Sequence, residues 1–141
     1  MIRHATFADL PAIGSLLLEL EYEPAPGLDE RVRRLIADPD EALLVYELDG
    51  ETVGLLSLHF IPQVALGDFA RISYFVVAAK VRGKGIGDEL EAHITALALA
   101  RNCDRIELHC HSRRIDAHRF YDRQGYRESP KYLVKSLRAG Q

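Results

Sequence analysis

A glycine-rich turn at residues 82–87 is the stretch of this sequence best suited to bind a ligand. It reads Arg-Gly-Lys-Gly-Ile-Gly and stands before an amphipathic segment. The first N–H groups of a helix have no partner inside the helix, and the helix dipole places partial positive charge beside them. Most helices cover these donors with a Ser, Thr, Asp or Asn side chain, but this turn contains none of these residues. Exposed donors next to Arg82 and Lys84 favour an anion, and a phosphate or pyrophosphate group fits them well.

The elements on either side of the turn must hold it in place. Residues 75–77 are aromatic or β-branched, which is typical of the end of a strand. Beyond the turn, apolar side chains recur at helical spacing at Ile86, Leu90, Ile94 and Leu97. The sequence thus predicts a strand that leads through the turn into a helix.

The spacing of the glycines excludes two common phosphate-binding motifs. A P-loop ends in Gly-Lys followed by Ser or Thr, and no such triplet closes this turn. Gly83, Gly85 and Gly87 alternate with other residues, whereas a dinucleotide-binding turn reads Gly-x-Gly-x-x-Gly. On these residues alone, a turn that binds nothing and a nucleotide-phosphate-binding domain of another kind both stay open.

The composition is that of one globular domain, residues 1–141, with 48% apolar and 28% charged residues. The net charge of −3 argues against a nucleic-acid partner, since such surfaces usually have a basic excess. Cys103 and Cys110 are too few for a disulfide framework. No apolar run approaches the length of about 20 residues that spans a bilayer, and the N-terminus has no signal-peptide core. We expect a soluble protein of the reducing cytoplasm with no membrane partner.

Capping and turn signals predict the remaining elements. Asp9 is a suitable N-cap for a helix with an apolar stripe. The pair Asp49 and Gly50 between two apolar runs predicts a hairpin. A helix is expected at residues 115–124, with Gly125 as its C-terminal stop. The strands expected late in the chain span residues 105–111, 126–127 and 132–137. This order predicts a mixed sheet with helices on both faces.

The turn and two other segments resemble one known family. The pattern Arg82-x-x-Gly85-x-Gly87 after a strand resembles the acyl-CoA pyrophosphate loop of the GNAT superfamily of N-acetyltransferases. Residues 2–10 resemble the opening strand and turn of that superfamily, and residues 117–126 resemble its late helix and the turn after it. The three segments have the order and separations of the superfamily, so the resemblance extends over the whole chain.

The resemblance implies both a fold and a cofactor site. The fold is α+β, with α/β/α layers and a mixed, mostly antiparallel central sheet that splays between the fourth and fifth strands. Pantetheine would lie in that opening and pair with the backbone of Phe75, Val76 and Val77. The backbone amides that would hold the pyrophosphate belong to Arg82, Gly83, Lys84, Gly85, Ile86, Gly87 and Asp88.

The resemblance also implies a reaction. The protein would be an acetyl-CoA-dependent N-acetyltransferase without a metal, in which a primary amine of a small molecule or protein attacks the thioester directly. Tyr121 matches the tyrosine that protonates the leaving thiolate in many members. An unperturbed phenol is protonated at neutral pH and can therefore donate. The alternative for Tyr121 is a packing residue on a helix face.

One family feature is missing. Many members have a glutamate on the fourth strand as general base, but residues 70–74 read Ala-Arg-Ile-Ser-Tyr. The base must come from elsewhere, or the amine loses its proton to water. His109 and His111 would share one face of the strand at 105–111, and histidine titrates in the right range. Glu107 and His59 are weaker candidates, and a polar exposed strand face is the alternative for the two histidines.

Several alternatives to catalysis or to a simple monomer stay open. The missing glutamate favours a non-catalytic acyl-CoA-binding or regulatory module of the same fold. A zinc site at His109, Cys110 and His111 is disfavoured because strand alternation would place the cysteine on the opposite face. The acidic residues Glu19, Glu21 and Glu23 would suit a cationic amine or form a solvated surface. A homodimer is a family-level expectation.

Overall fold

The computed structural model describes residues 1–110, 114–129 and 132–138. The chain divides into two compact units, Met1–His109 and Cys110–Gln141. The strands are β1 (Ile2–His4), β2 (Glu41–Leu48), β3 (Glu51–Ile61), β4 (Phe69–Val77) and β5 (Ile106–Leu108). The helices are α1 (Leu10–Glu19), α2 (Leu28–Ala37), α3 (Ile86–Ala100) and α4 (Ile115–Arg123). That residues 1–141 form a single domain stays a prediction.

The first unit is built on a five-stranded sheet whose strands lie in chain order. β1 to β4 pair antiparallel, and β5 pairs parallel with β4. A parallel pair needs a crossover connection, and α3 provides it between β4 and β5. The predicted fold class is confirmed: the fold is α+β, with a mixed, mostly antiparallel sheet.

The predicted hairpin joins β2 to β3. Asp49 and Gly50 have φ values of 51° and 78°, so both central residues of the turn are left-handed. Two left-handed residues match the right-handed twist of the strands that they connect. The aspartate–glycine pair therefore helps to set the register between β2 and β3.

Apolar side chains on both faces of β2 and β3 form the core. Successive residues Leu55 and Leu56 are both buried, so both faces of the sheet must be covered. On one face Gly54 permits close approach of α3, since a Cβ atom there would lie 3.3 Å from a methyl group of Leu90. α1 and α2 cover the other face. The apolar stripe predicted for α1 is confirmed at Ile13, Leu16 and Leu17, which are buried.

Asp9 does not act as the predicted side-chain cap of α1. It precedes the helix, but its carboxylate forms no cap hydrogen bond to that helix. It lies 2.8 and 2.9 Å from the two terminal nitrogens of Arg3 and accepts a 3.0 Å hydrogen bond from Thr52. The hydrogen bonds from Arg3 lower the pKa of Asp9 to about 2, against the opposing effect of burial. Asp9 thus joins the start of α1 to β1 and β3.

We expect Asp9→Asn to lower the free energy of unfolding at pH 7 by about 2 kcal/mol, the equivalent of a shift of nearly two pKa units. The folded-state pKa lies below the unfolded value, so this stabilisation is complete above about pH 4 and disappears as the pH falls through about 2. Urea unfolding at pH 7 and pH 3 measures the difference. The exposed Asp68→Asn is the matched control, and an equal effect from both substitutions would contradict the assignment.

The second unit contains α4, and the expected strands after it are not found there. α4 spans Ile115–Arg123, and Gly125 follows it with φ 93°, as the sequence predicted. Residues 126–127 and 132–137 form no strand among the described residues, so that prediction is wrong. Leu133 and Val134 are 93% and 81% exposed. Strand propensity alone cannot place such a run, because a strand needs an edge with which to pair.

Candidate active site

β4 continues beyond the end of β5, and the sheet opens at that point. The β4–β5 ladder ends with Ile72 opposite Leu108. β4 continues in its ladder with β3 as far as Val77, which lies opposite Gly54. Among the described residues, β5 therefore covers no part of β4 beyond Ile72, as a splay between the fourth and fifth strands requires.

The chain passes from β4 to α3 through the glycine-rich turn. A 3₁₀ turn at Ala79–Val81 comes first, and the left-handed residues Gly83 and Gly85 follow with φ values of 83° and 80°. A side chain at either position would strain the backbone, although open space surrounds both Cβ positions. Ile86 is buried and fixes the first turn of α3 against the core. The two glycines therefore serve the path of the backbone in an exposed turn.

α3 begins without a side-chain cap, as the sequence predicted. Gly85 is the N-cap, and no side-chain cap hydrogen bond forms at this position. The first backbone hydrogen bond of the helix runs from the Glu89 N–H to the Gly85 carbonyl at 3.1 Å. The N–H groups of Ile86 and Gly87 precede that bond and so have no acceptor inside the helix. With the helix dipole, they form the kind of site at which phosphates bind.

Side chains fix the turn and add positive charge. Arg82 Nε donates to the Val77 carbonyl at 3.2 Å, which joins the turn to the end of β4. The exposed Lys84 adds a second cation. Glu19 at the end of α1 accepts a 2.8 Å hydrogen bond from the Ala79 N–H. Glu19 therefore supports the turn, whereas its sequence position suggested only an acidic surface.

Tyr121 lies on α4 in the second unit, where its ring packs edge-on against the rings of Phe120 and Tyr126. Burial raises the pKa of the Tyr121 phenol above its usual value near 10. The nearby Cys110 adds to the rise, and Arg114 opposes it. The phenol is thus protonated at neutral pH, as a general acid must be. Its role towards a thiolate stays a prediction.

Comparison with known proteins identifies the family. The family model described as "Acetyltransferase (GNAT) family" matches residues 12–126. This chain belongs to the GNAT family. It is 32% identical over 140 residues to the aminoalkylphosphonate N-acetyltransferase of Salmonella typhimurium, and the alignment covers 96% of this chain and 90% of that protein. The prediction of an N-acetyltransferase is confirmed.

Solved structures with the GNAT fold are similar over nearly the full chain. A protein of Bacillus halodurans C-125, described as a transcriptional regulator, superimposes with a TM-score of 0.88 at 27% identity, over 97% of this chain and 99% of that one. The glucosamine-6-phosphate N-acetyltransferase of Arabidopsis thaliana gives a TM-score of 0.84 at 19% identity, over 98% of each chain. The second likeness supports the fold alone.

The structure shows which of the candidate residues are suited to act as the general base of this GNAT member. β5 ends at Leu108, so the prediction that His109 lies in that strand is wrong, and His111 lies outside the described residues. Burial acts to raise the pKa of Glu107, but hydrogen bonds from Arg71 and Arg105 outweigh it and lower that pKa. A carboxylate held by two arginines is a weak proton acceptor. Glu107 is therefore a poor base.

Arg71 occupies the stretch in which many GNAT members have their glutamate. It lies opposite His59 on β3 and opposite Glu107 on β5. The neighbouring Ser73 is within 2.6 Å of His59 Nε2. The partners of His59 lie 14 and 18 residues away along the chain, so the sequence alone favours His59 only weakly as a base. Only the strand register brings them together.

Two kinds of feature, a metal site and a membrane-spanning helix, are not found in the described part of the chain. No group of three His, Cys, Asp or Glu side chains in it is arranged to hold a metal ion. None of its helices is both long and apolar enough to cross a membrane.

Proposed function

We propose that this GNAT member transfers the acetyl group of acetyl-CoA to a primary amine by direct attack on the thioester. The observation that supports this most strongly is the uncapped start of α3 behind two left-handed glycines, next to the part of β4 beyond the β5 ladder. A diphosphate at the turn and a pantetheine arm along β4 would bring the thioester towards the opening in the sheet.

Two groups would act on the thioester itself. A backbone N–H near Val76 or Val77 would stabilise the tetrahedral oxyanion, and such donors contribute about 2.7–4 kcal/mol in other enzymes. Tyr121 would protonate the CoA thiolate as the carbon–sulfur bond breaks. Burial raises the pKa of the phenol, so the acid form is the one present at physiological pH.

We propose an aminoalkylphosphonate as the first acceptor class to test. The support is the similarity to the Salmonella enzyme of that name, which extends over 96% of this chain. The exposed Glu21 and Glu23 follow α1 and add negative charge that suits the ammonium end of such a molecule. A protein amine is the other acceptor class.

We expect the purified protein to release free thiol from acetyl-CoA only when an amine is present. The assay compares 2-aminoethylphosphonate with ethylamine and with a peptide N-terminus, and mass spectrometry identifies the acetylated product. Equilibrium titration with CoA and ATP is run beside it, and CoA should bind at least tenfold more tightly. Tighter binding of ATP, or no turnover with any amine, would contradict the proposal.

A non-catalytic acyl-CoA-binding module of the same fold is the second candidate. Arg71, which donates a hydrogen bond to Glu107, occupies the strand region in which many relatives have a base. An arginine in place of a base favours the non-catalytic module. Tight CoA binding without turnover would identify such a module. A homodimer and a cytoplasmic location stay predictions.

A further inference from the structure

A hydrogen-bonded row of three side chains crosses β2, β3 and β4. Glu41 lies directly opposite His59 in the sheet, and its carboxylate bonds to His59 Nδ1. On the other side of the ring, His59 Nε2 lies 2.6 Å from Ser73 Oγ. His59 and Gly54 are five residues apart on β3, so they face opposite sides of the sheet. Because α3 packs on the Gly54 side, the row lies on the side of α1 and α2.

A β-bulge places Ser73 in the row. Ser57 lies opposite Tyr74 and Leu58 lies opposite Ile72, so Ser73 is an additional residue in β4. Bulges re-aim side chains and are common next to active sites. The bulge directly follows Ile72, where the β4–β5 ladder ends.

The row therefore lies at the opening of the sheet. Two residues of strand separate Ser73 from Phe75, which is about 7 Å at the usual rise of a strand. Tyr74 lies between them, and its ring packs edge-on against Tyr22 from the loop between α1 and α2 at 5.4 Å. Ser73 is itself exposed. A molecule in solvent beside this loop can therefore contact the Ser73 hydroxyl.

The hydrogen bonds define which atoms carry protons. An ionised Glu41 can only accept, so the Nδ1 of His59 carries a proton and Nε2 presents a lone pair. Ser73 has one hydroxyl proton, and its Oγ lies 2.6 Å from His59 Nε2 but 3.5 Å from the Ser57 carbonyl oxygen. The hydroxyl therefore donates to His59. When Nε2 takes up a proton it becomes the donor, and the hydroxyl can turn to the carbonyl of Ser57.

Charged side chains face His59 from the two neighbouring strands. Glu41 faces it from β2, and Arg71 faces it from β4 with its charge engaged by Glu107. The one titratable side chain of α1 is Glu19, which bonds to the Ala79 N–H. α3 packs on the opposite side of the sheet. Among the described residues, Glu41 is the carboxylate that hydrogen-bonds to the His59 ring, and it would stabilise an imidazolium there.

We infer that Glu41, His59 and Ser73 form the proton-accepting relay for the acceptor ammonium, in place of the strand glutamate that this chain lacks. The inference rests on the proposed function. Ser73 contacts the ammonium, gives its own proton to His59 Nε2 and takes one from the substrate nitrogen. The freed lone pair attacks the thioester carbonyl and forms the carbon–nitrogen bond, and the carbon–sulfur bond breaks when the tetrahedral oxyanion collapses. Glu41 positions the ring and stabilises its charge.

The protons balance over the reaction. An alkylammonium loses two protons in becoming an amide. The first passes through Ser73 to His59 and then to solvent. The second replaces the proton that Tyr121 gives to the thiolate. No oxidant, reductant or metal is needed.

The test compares two amines of different basicity in His59→Gln. With ethylamine, which is charged at pH 7, kcat/KM should fall about a hundredfold, the usual contribution of a general base. With trifluoroethylamine, which is neutral at pH 7, it should change less than threefold because no proton needs to be removed before attack. His4→Gln removes an exposed histidine from β1 and is the matched control. It should leave both values unchanged.

Two further variants separate the relay from a structural role. Ser73→Ala should lower kcat/KM for ethylamine at least tenfold and spare trifluoroethylamine, whereas Ser73→Thr keeps a hydroxyl and should retain most of the rate. Equal losses with both amines would assign a structural role and overturn the inference. A kcat/KM for ethylamine in His59→Gln that equals the wild-type value would also overturn the inference. A wild type that is silent with every amine would overturn the proposed function and this inference together.

A measurement that needs no turnover checks the proton positions. Nitrogen-15 NMR of the histidine side chains, assigned with His59→Gln, should show the Nδ1–H tautomer for His59 above neutral pH. Glu41→Gln should shift the equilibrium between its tautomers. A His59 ring protonated at Nε2 in its neutral form could not accept from Ser73 and would overturn the inference.

Discussion

Replacing Tyr121 with phenylalanine should lower kcat about a hundredfold and leave the KM for acetyl-CoA within about twofold, as expected for loss of a general acid. The ring and its packing against Phe120 and Tyr126 are kept, so the change removes only the proton donor. Steady-state kinetics with a free-thiol readout measures both constants. Tyr132→Phe removes a hydroxyl from an exposed tyrosine of the same unit and is the matched control.

The pH dependence gives a second readout of the same residue. Because burial raises the pKa of the Tyr121 phenol, the acid form should persist and kcat should decline only above about pH 10. The decline should be absent in Tyr121→Phe. Unchanged turnover in that variant would remove Tyr121 from the chemistry and leave it as a packing residue.

Replacing Gly85 with aspartate should weaken CoA binding by about thirtyfold, the equivalent of about 2 kcal/mol at a helix N-terminus. A carboxylate at the N-cap accepts hydrogen bonds from the first turn of the helix and so competes with the diphosphate for the same donors. It also repels the ligand. Calorimetric titration with CoA measures the change, and thermal unfolding shows whether the fold is kept.

Gly27→Asp is the matched control for that substitution. Gly27 is also a left-handed N-cap glycine, at the start of α2, with no side-chain cap bond. The backbone strain and the added charge are therefore alike in the two variants. The helix differs, and so does the immediate surrounding, since a Cβ atom at Gly27 would lie 3.4 Å from an Arg31 Nη atom and one at Gly85 meets open space. Equal losses of CoA affinity would show that the start of α3 has no special part in binding.

The elements predicted correctly depend on signals that are local in the chain. The turn at Asp49 and Gly50 needs two left-handed residues, and this pair provides them. The exposed start of α3 follows from the absence of any capping side chain in six consecutive residues. Such features form through contacts between near neighbours, so the residue types alone define them.

The features that the sequence could not predict depend on contacts between distant residues. Asp9 was expected to cap α1, but Arg3 and Thr52 take its carboxylate, and Thr52 lies 43 residues away. The relay depends on the register of three strands and on an extra residue in β4. The alternation of side chains along a strand predicts which residues of that strand lie on the same face. Only the pairing between strands shows that Glu41 and His59 lie on the same face of the sheet.

A crystal structure with acetyl-CoA bound is the most direct test of the central claim that the turn before α3 holds the diphosphate. We expect diphosphate oxygens about 2.7–3.2 Å from backbone nitrogens of residues 82–88. We also expect the thioester sulfur within hydrogen-bond reach of the Tyr121 hydroxyl. A bound acetyl-CoA that leaves this turn empty and places its diphosphate elsewhere would contradict the account.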